Sequence, residues 1–173
     1  MKRVIAILVV AAGLLVVAPV AAQAAPTFPY PVLRRGGESG PNVLILQHLL
    51  RGQRDMWVKA IPADGVYGKR TEEFVKAYQG LVGLPQDGVA GAHTWTRLIA
   101  DNTLRPGDRG EEVRAVQWGL VKNGHLIREQ VDGAFGTNTE RELRRFQRFT
   151  GTSIDGIVGV QTWRALITWG NND

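Results

Sequence analysis

The chain has 173 residues, a formal charge of +5, 44% apolar and 21% charged side chains, and no cysteine. This composition excludes a disordered or fibrous chain, and the missing cysteine excludes disulfides and thiol nucleophiles. The length allows one domain or two small ones. At the N-terminus, Lys2 and Arg3 precede a nearly unbroken apolar run from Val4 to Val20, followed by the small-x-small sequence Ala22-Gln23-Ala24. That layout predicts a cleaved signal peptide over 1–24. A membrane anchor is the alternative, because the run approaches the ~20 residues of a spanning helix. Pro19 near its end, and no basic residue between the run and Arg34, favour cleavage. With no cysteine at the cleavage point, a lipid-attached form is not expected.

Loss of Lys2 and Arg3 leaves 19 basic and 16 acidic side chains, a charge of +3. Such a mild excess permits weak attraction to anionic polymers. Nucleic acid is not an expected partner for an exported chain. Residues 25–31 (APTFPYP) form a stiff proline-rich leader.

Beyond the leader the sequence repeats. Asp64-Gly65-Val66-Tyr67-Gly68, Thr71, Val75, Tyr78, Gln79 and Gly83 recur at an offset of 68 as Asp132-Gly133-Ala134-Phe135-Gly136, Thr139, Leu143, Phe146, Gln147 and Gly151. Asp87-Gly88, Gly91, Thr94-Trp95 and Leu98 recur as Asp155-Gly156, Gly159, Thr162-Trp163 and Leu166. Upstream, Val43, Gln47 and Leu50 match Val113, Gln117 and Leu120 at an offset of 70. Two units are expected, over 32–101 and 102–173.

Within each unit the pattern D-G-x-x-G-x-x-T occurs twice, starting at Asp64 and Asp87, then at Asp132 and Asp155. Asp-Gly with a second glycine three residues on marks a tight turn. The apolar residue between the glycines (Tyr67, Ala90, Phe135 or Val158) is placed to enter the core. The threonine falls in the first turn of the next helix, where its hydroxyl can serve unpaired backbone groups. Three helices per unit follow. The first carries Val43, Leu46, Gln47 and Leu50, or Val113, Val116, Gln117 and Leu120, at helical spacing. The second carries Phe74, Val75 and Tyr78, or Leu143 and Phe146. The third carries Trp95, Leu98 and Ile99, or Trp163, Leu166 and Ile167. The expected class is all-α: two tandem small three-helix bundles.

The second unit runs Leu104-Arg105-Pro106-Gly107-Asp108-Arg109-Gly110, Val113, Gln117, Leu120, Asn123-Gly124-His125-Leu126, Asp132-Gly133-Ala134-Phe135-Gly136, Thr139, Phe146-Gln147, Asp155-Gly156 and Thr162-Trp163. In that order these motifs resemble the bacterial peptidoglycan-binding domain found at the ends of wall hydrolases. The first unit is similar but departs from it. Its opening turn, Gly36 to Gly40, is one residue longer, and the stretch from Gln47 to Asp64 carries an insert with Trp57 and Pro62. The resemblance implies a three-helix module that holds a protein on murein.

No catalytic centre is legible. His48, His93 and His125 lack metal-ligand spacing, and Ser39 and Ser153 lie in no nucleophile elbow. The pairs Glu72-Glu73, Glu111-Glu112 and Glu140/Glu142 lie at helix starts, where negative charge suits the helix dipole. No metal or cofactor is expected. The aspartates of the turns read either as ligand contacts or as turn-forming groups. Gln47, Gln79, Gln117 and Gln147 fall on apolar stripes and are expected to bond to turn backbone. Trp95 and Trp163 read as core. Trp57, Trp118 and Trp169 have no matched partner, and each can stack on a sugar or pack on a loop. Arg144, Arg145 and Arg148 form a basic cluster that can meet stem-peptide carboxylates or lie on a solvated face.

The expected ligand face centres on Asp132, Gly133, Phe135, Gly136, Asn138, Thr139 and Arg144 in the second unit, with Asp64, Tyr67, Thr71 and Trp118. The expected protein is a secreted, monomeric, non-catalytic peptidoglycan binder in the wall, medium or periplasm, with no membrane contact after cleavage. A small wall hydrolase, or a scaffold for a protein partner at the wall, are the alternatives.

Overall fold

The computed structural model describes residues 29–37, 39–53 and 61–170. The expected signal peptide, most of the leader and Trp57 lie outside the described residues. Six α-helices follow in order: α1 Pro41–Arg51, α2 Lys69–Leu81, α3 Ala92–Ile99, α4 Glu111–Lys122, α5 Thr137–Thr150 and α6 Val160–Thr168. A 3-10 turn, Arg128–Gln130, precedes α5. Among the described residues there is no strand, only isolated bridges. The architecture is the expected pair of three-helix units, α1–α3 and α4–α6.

Every α-helix begins directly after a glycine: Gly40, Gly68, Gly91, Gly110, Gly136 and Gly159. None has a side-chain cap. Gly40 and Gly110 have φ of 114° and 131°, a region that penalises any side chain. The chain entering each bundle is held by two-residue bridges. Leu33 and Ala90 exchange backbone hydrogen bonds, and Leu104 and Val158 do the same. The matched tryptophans reinforce this closure. The Trp95 indole N–H donates to the Pro31 carbonyl at 2.8 Å, and that of Trp163 to Asn102 at 2.6 Å. Both rings are completely buried. Each contributes roughly 4–6 kcal/mol of transfer free energy, an upper bound.

The units are not beads on a string. Val43 to Leu50 are all buried, so α1 has no solvent face in that stretch. Its second face packs on α4, the most extensive helix–helix contact in the molecule. The two helices run antiparallel. Lys122 Nζ at the end of α4 donates to Asn42 Oδ1 at the start of α1, at 3.1 Å. His48 Nδ1 near the end of α1 lies 2.7 Å from Glu111 Oε2 at the start of α4. The contacts come in mirrored pairs. Gly52 matches Lys122 and Glu112 matches Asn42 in the repeat, and Gly52 and Glu112 also touch. A methyl added at Gly52 would come within 2.4 Å of the Glu112 carboxyl carbon. The halves are therefore related by an approximate twofold between α1 and α4.

The seam holds two titratable groups that burial disturbs. Burial keeps His48 below its ordinary value despite the neighbouring Glu111. Arg51 also approaches Glu111, at 3.3 Å. Glu111 thus bridges two units, a role that its place at a helix start did not reveal. Burial lowers Lys122 to about 8, and its ammonium also donates to the Ile167 carbonyl at 2.7 Å.

This last shift fixes a pH dependence. A folded lysine with a depressed pKa releases its proton before the unfolded lysine does. Stability attributable to Lys122 therefore rises between about pH 8 and the ordinary value of 10.5. Urea unfolding should show a gain of about 2 kcal/mol from about pH 7.5 to about pH 9.5. Lys122→Met should remove that slope; an unchanged slope in the variant would place its origin elsewhere.

Candidate functional site

The four Asp-Gly turns are one structure built four times. In the first, Gln47 Nε2 donates to Asp64 Oδ1 at 2.9 Å, to the Val66 carbonyl at 3.1 Å and to Thr71 Oγ1 at 3.1 Å. Its Oε1 accepts the Gly65 N–H at 2.9 Å. Asp64 Oδ1 also accepts the Val66 N–H at 2.9 Å, closing an Asx turn. Gln79 repeats this around Asp87, Gly88, Val89 and Thr94. Gln117 repeats it around Asp132, Gly133, Ala134 and Thr139. Gln147 repeats it around Asp155, Gly156, Ile157 and Thr162. All four glutamines are buried, and each clamps the turn that launches the next helix of its unit.

The threonines act differently from the expectation. Their hydroxyls do not cap N–H groups. Each donates back to a turn carbonyl, as Thr139 does to Ala134 at 3.3 Å, while accepting from the glutamine. The aspartates are held ionised. Hydrogen bonds from Gln117 and the Ala134 N–H lower Asp132, and those from the Val89 N–H and Gln79 lower Asp87.

This accounts for most of the residues expected at the ligand face. Phe135, Thr139, Tyr67 and Thr71 are buried, and Gly133 is buried against Arg114. The Tyr67 hydroxyl donates to the Gly88 carbonyl at 2.7 Å. Trp118 is 9% exposed, with the Arg128 guanidinium 5.4 Å from its ring centre. Asp64, Asp132 and Gly136 reach solvent, and Asn138 and Arg144 are half-buried. Asn138 accepts from Arg141. Arg144 Nε donates to Glu140 at 3.0 Å, and its Nη1 to the Ile154 carbonyl at 3.0 Å. The basic cluster on α5 is therefore largely paired. Arg141 and Arg145 both hold Glu142, which burial raises but these two hydrogen bonds carry below its ordinary value.

Two features escaped the sequence reading. On the second unit, His125 meets Phe146 edge-on at 5.5 Å, and the exposed Phe149 meets Trp169 at the same distance. On the first unit, a cleft of about 460 Å³ opens beside Tyr78, Arg97, Asp101 and Glu112. Both lie where the two units differ, and comparing unmatched positions would have pointed to them. Among the described residues, no three or more His, Asp or Glu side chains come together as a metal site.

The sequence profile described as "Putative peptidoglycan binding domain" matches residues 39–98 and 109–166. An N-acetylmuramoyl-L-alanine amidase, CwlM, of Mycobacterium tuberculosis is 31% identical over 112 residues, 58% of this chain and 27% of that protein. A spore cortex-lytic enzyme of Bacillus cereus is 35% identical over 69 residues, 40% of this chain and 26% of that protein. The chain thus spans about a quarter of the length of these curated relatives. The crystal structure of the SleB N-terminal domain is 35% identical, with a TM-score of 0.38, covering 40% of this chain and 93% of that one.

The clamp can be tested as structure. Gln117→Leu leaves the buried Gly133 N–H and the Asp132 turn without their partner, and should cost about 2–4 kcal/mol. The exposed Gln161→Leu should change stability by less than about 0.5 kcal/mol. Urea unfolding reads both. A Gln117 variant with native stability would release the turn from its structural role.

Proposed function

Because the chain belongs to the peptidoglycan-binding-domain family, we propose that it is an exported, non-catalytic protein that attaches to cell-wall peptidoglycan through its two modules. The observation that carries this reading is the repeated framework itself: both units hold complete glutamine-clamped turns, and both match the family. The relatives named as wall-lytic enzymes share only about a quarter of their length with this chain. That supports attachment, not bond cleavage, as the task of the shared part. Localisation to the wall, the medium or the periplasm follows from the expected signal peptide.

The rim of the Asp132 turn and the start of α5 is the first face to probe. There Asp132, Gly136, Asn138 and Arg144 present surface atoms, over a layer of Gly133, Phe135 and Thr139 that holds the turn. In the first unit, Asp64 sits on the equivalent rim, above Tyr67 and Thr71. Two sites on one chain raise avidity without new contacts, provided the polymer can reach both.

Co-sedimentation with insoluble peptidoglycan stripped of protein and teichoic acid tests the reading. The purified mature protein should pellet, and pelleting should persist at about 0.5 M salt, where charge attraction is screened within several ångströms. Pelleting lost at modest salt would reduce the interaction to charge. No pelleting would favour a protein partner, sought by co-purification. Dye release from labelled murein by metal-replete protein would restore the hydrolase alternative.

A further inference from the structure

The cleft of about 460 Å³ lies where the first unit meets the start of the second. Its volume is that of a small-molecule site. Its walls come from the end of α1 (Gly52, Gln53), from α2 (Tyr78), from α3 and the turn after it (Arg97, Asp101), and from α4 (Glu112). The matched positions of the second unit carry different groups. There Phe146 stands at the position of Tyr78, Ala165 at that of Arg97, and Trp169 at that of Asp101. The polar groups of the cleft are therefore not demanded by the shared fold.

Their bonding state points the same way. Tyr78 is 2% exposed. Its hydroxyl has no hydrogen-bond partner among the described residues, and Tyr78 lines the cleft. A buried phenol normally has a partner. Tyr67, the other buried tyrosine, has one in the Gly88 carbonyl. Phe146 shows that a plain ring satisfies the packing at this position. Burial pushes Tyr78 up to about 12, so it keeps its proton for donation at neutral pH. Arg97 and Asp101 lie one helical turn apart yet form no ion pair. Neither they nor Glu112 has an ion-pair or hydrogen-bond partner among the described residues.

One guanidinium and two carboxylates lining a single cleft, beside a phenol without a partner, are complementary to a ligand that carries both a carboxylate and an ammonium group. We infer that this cleft binds a free amino acid, or the carboxylate end of a short peptide whose last residue carries an ammonium side chain. Arg97 takes the carboxylate in a forked pair, Asp101 and Glu112 take the ammonium, and Tyr78 donates to a carboxylate or carbonyl oxygen. The inference rests on the peptidoglycan reading for its biological source, the stem peptide. Its chemistry stands independently of that source. Because Glu112 belongs to α4, the site needs both units in place.

Isothermal titration of the full mature chain with a free-ended Ala-Ala-Lys tripeptide tests it, beside the acetylated and amidated peptide, free lysine and a chitin oligomer. The free-ended peptide should bind, and capping its ends should weaken binding at least about tenfold. Arg97→Gln and Asp101→Asn should each cost about tenfold. Tyr78→Phe should cost about fivefold with unchanged melting, since Phe146 fills the same position in the second unit. Free lysine binding as tightly as the tripeptide would assign the cleft to free amino acids, not a polymer end. No peptide binding at millimolar concentration, or equal binding by the three variants, would overturn the inference. Murein pelleting separates the two readings. A wild-type chain that pellets but ignores the peptide sinks the cleft alone; one that binds the peptide but does not pellet keeps the cleft and sinks the wall.

Discussion

A primary amide on a helix holds this protein together. Glutamine offers one acceptor and two donors on a side chain long enough to cross from helix to turn. Here the carbonyl accepts the glycine N–H of an Asp-Gly turn, while the two N–H bonds of the NH₂ group are shared among the aspartate, a turn carbonyl and a threonine. Glutamate would confront the aspartate with a second negative charge, and asparagine would fall a methylene short. The order of the clamps matters as well. Gln47 on α1 fixes the turn that starts α2, and Gln79 on α2 fixes the turn that starts α3. Each helix thus sets the direction of the next. That explains how helices of 8 to 14 residues, too short to persist alone, keep one arrangement.

The same logic explains what could be read in the sequence. Asp-Gly, the second glycine, the threonine and the glutamine must recur together, because each bonds to another member of the set. Their spacing announced the turns, the three helices per unit and the burial of Tyr67, Phe135, Trp95 and Trp163. The direction of the threonine bond was not legible, because a hydroxyl both donates and accepts. The seam between units was hidden for a different reason. The second face of α1 sets Ile45 and Leu49 among Asn42, His48 and Gly52, so its apolar stripe is broken by polar and small residues. Only the partner helix makes His48 or Gly52 an interior residue. The candidate ligand residues blurred for the opposite reason: those most clearly patterned, such as Asp132 and Thr139, are the ones that the turn itself uses.

The seam also changes what tandem repetition means here. Two modules on a flexible tether sample many spacings. Two modules joined by α1 against α4, with His48 to Glu111 at one end and Asn42 to Lys122 at the other, present their faces at one spacing. An approximate twofold relates them, so any surface shared by both units points in two related directions. Avidity then depends on whether the polymer offers groups at that separation. A buried lysine whose pKa falls to about 8 costs stability near neutrality, which glycine, its counterpart at position 52, does not.

Duplication separates the positions that build the fold from those that do not. Where the units agree, the residue is spoken for: the glutamine, the aspartate, the two glycines, the threonine and the tryptophan all have partners inside their own unit. Where they disagree, structure alone sets no requirement, and chemistry is free to vary. Tyr78 against Phe146 is the sharpest case, because the two side chains differ by one oxygen atom. The ring is buried in both units. Only the oxygen lacks a partner among the described residues, and Tyr78 lines a cleft whose walls carry both charge signs. A hydroxyl that the fold leaves without a partner is open to whatever enters the cleft. In a scaffold that repeats its structural bonds four times over, that unrepeated atom is where function is expected to have departed from architecture.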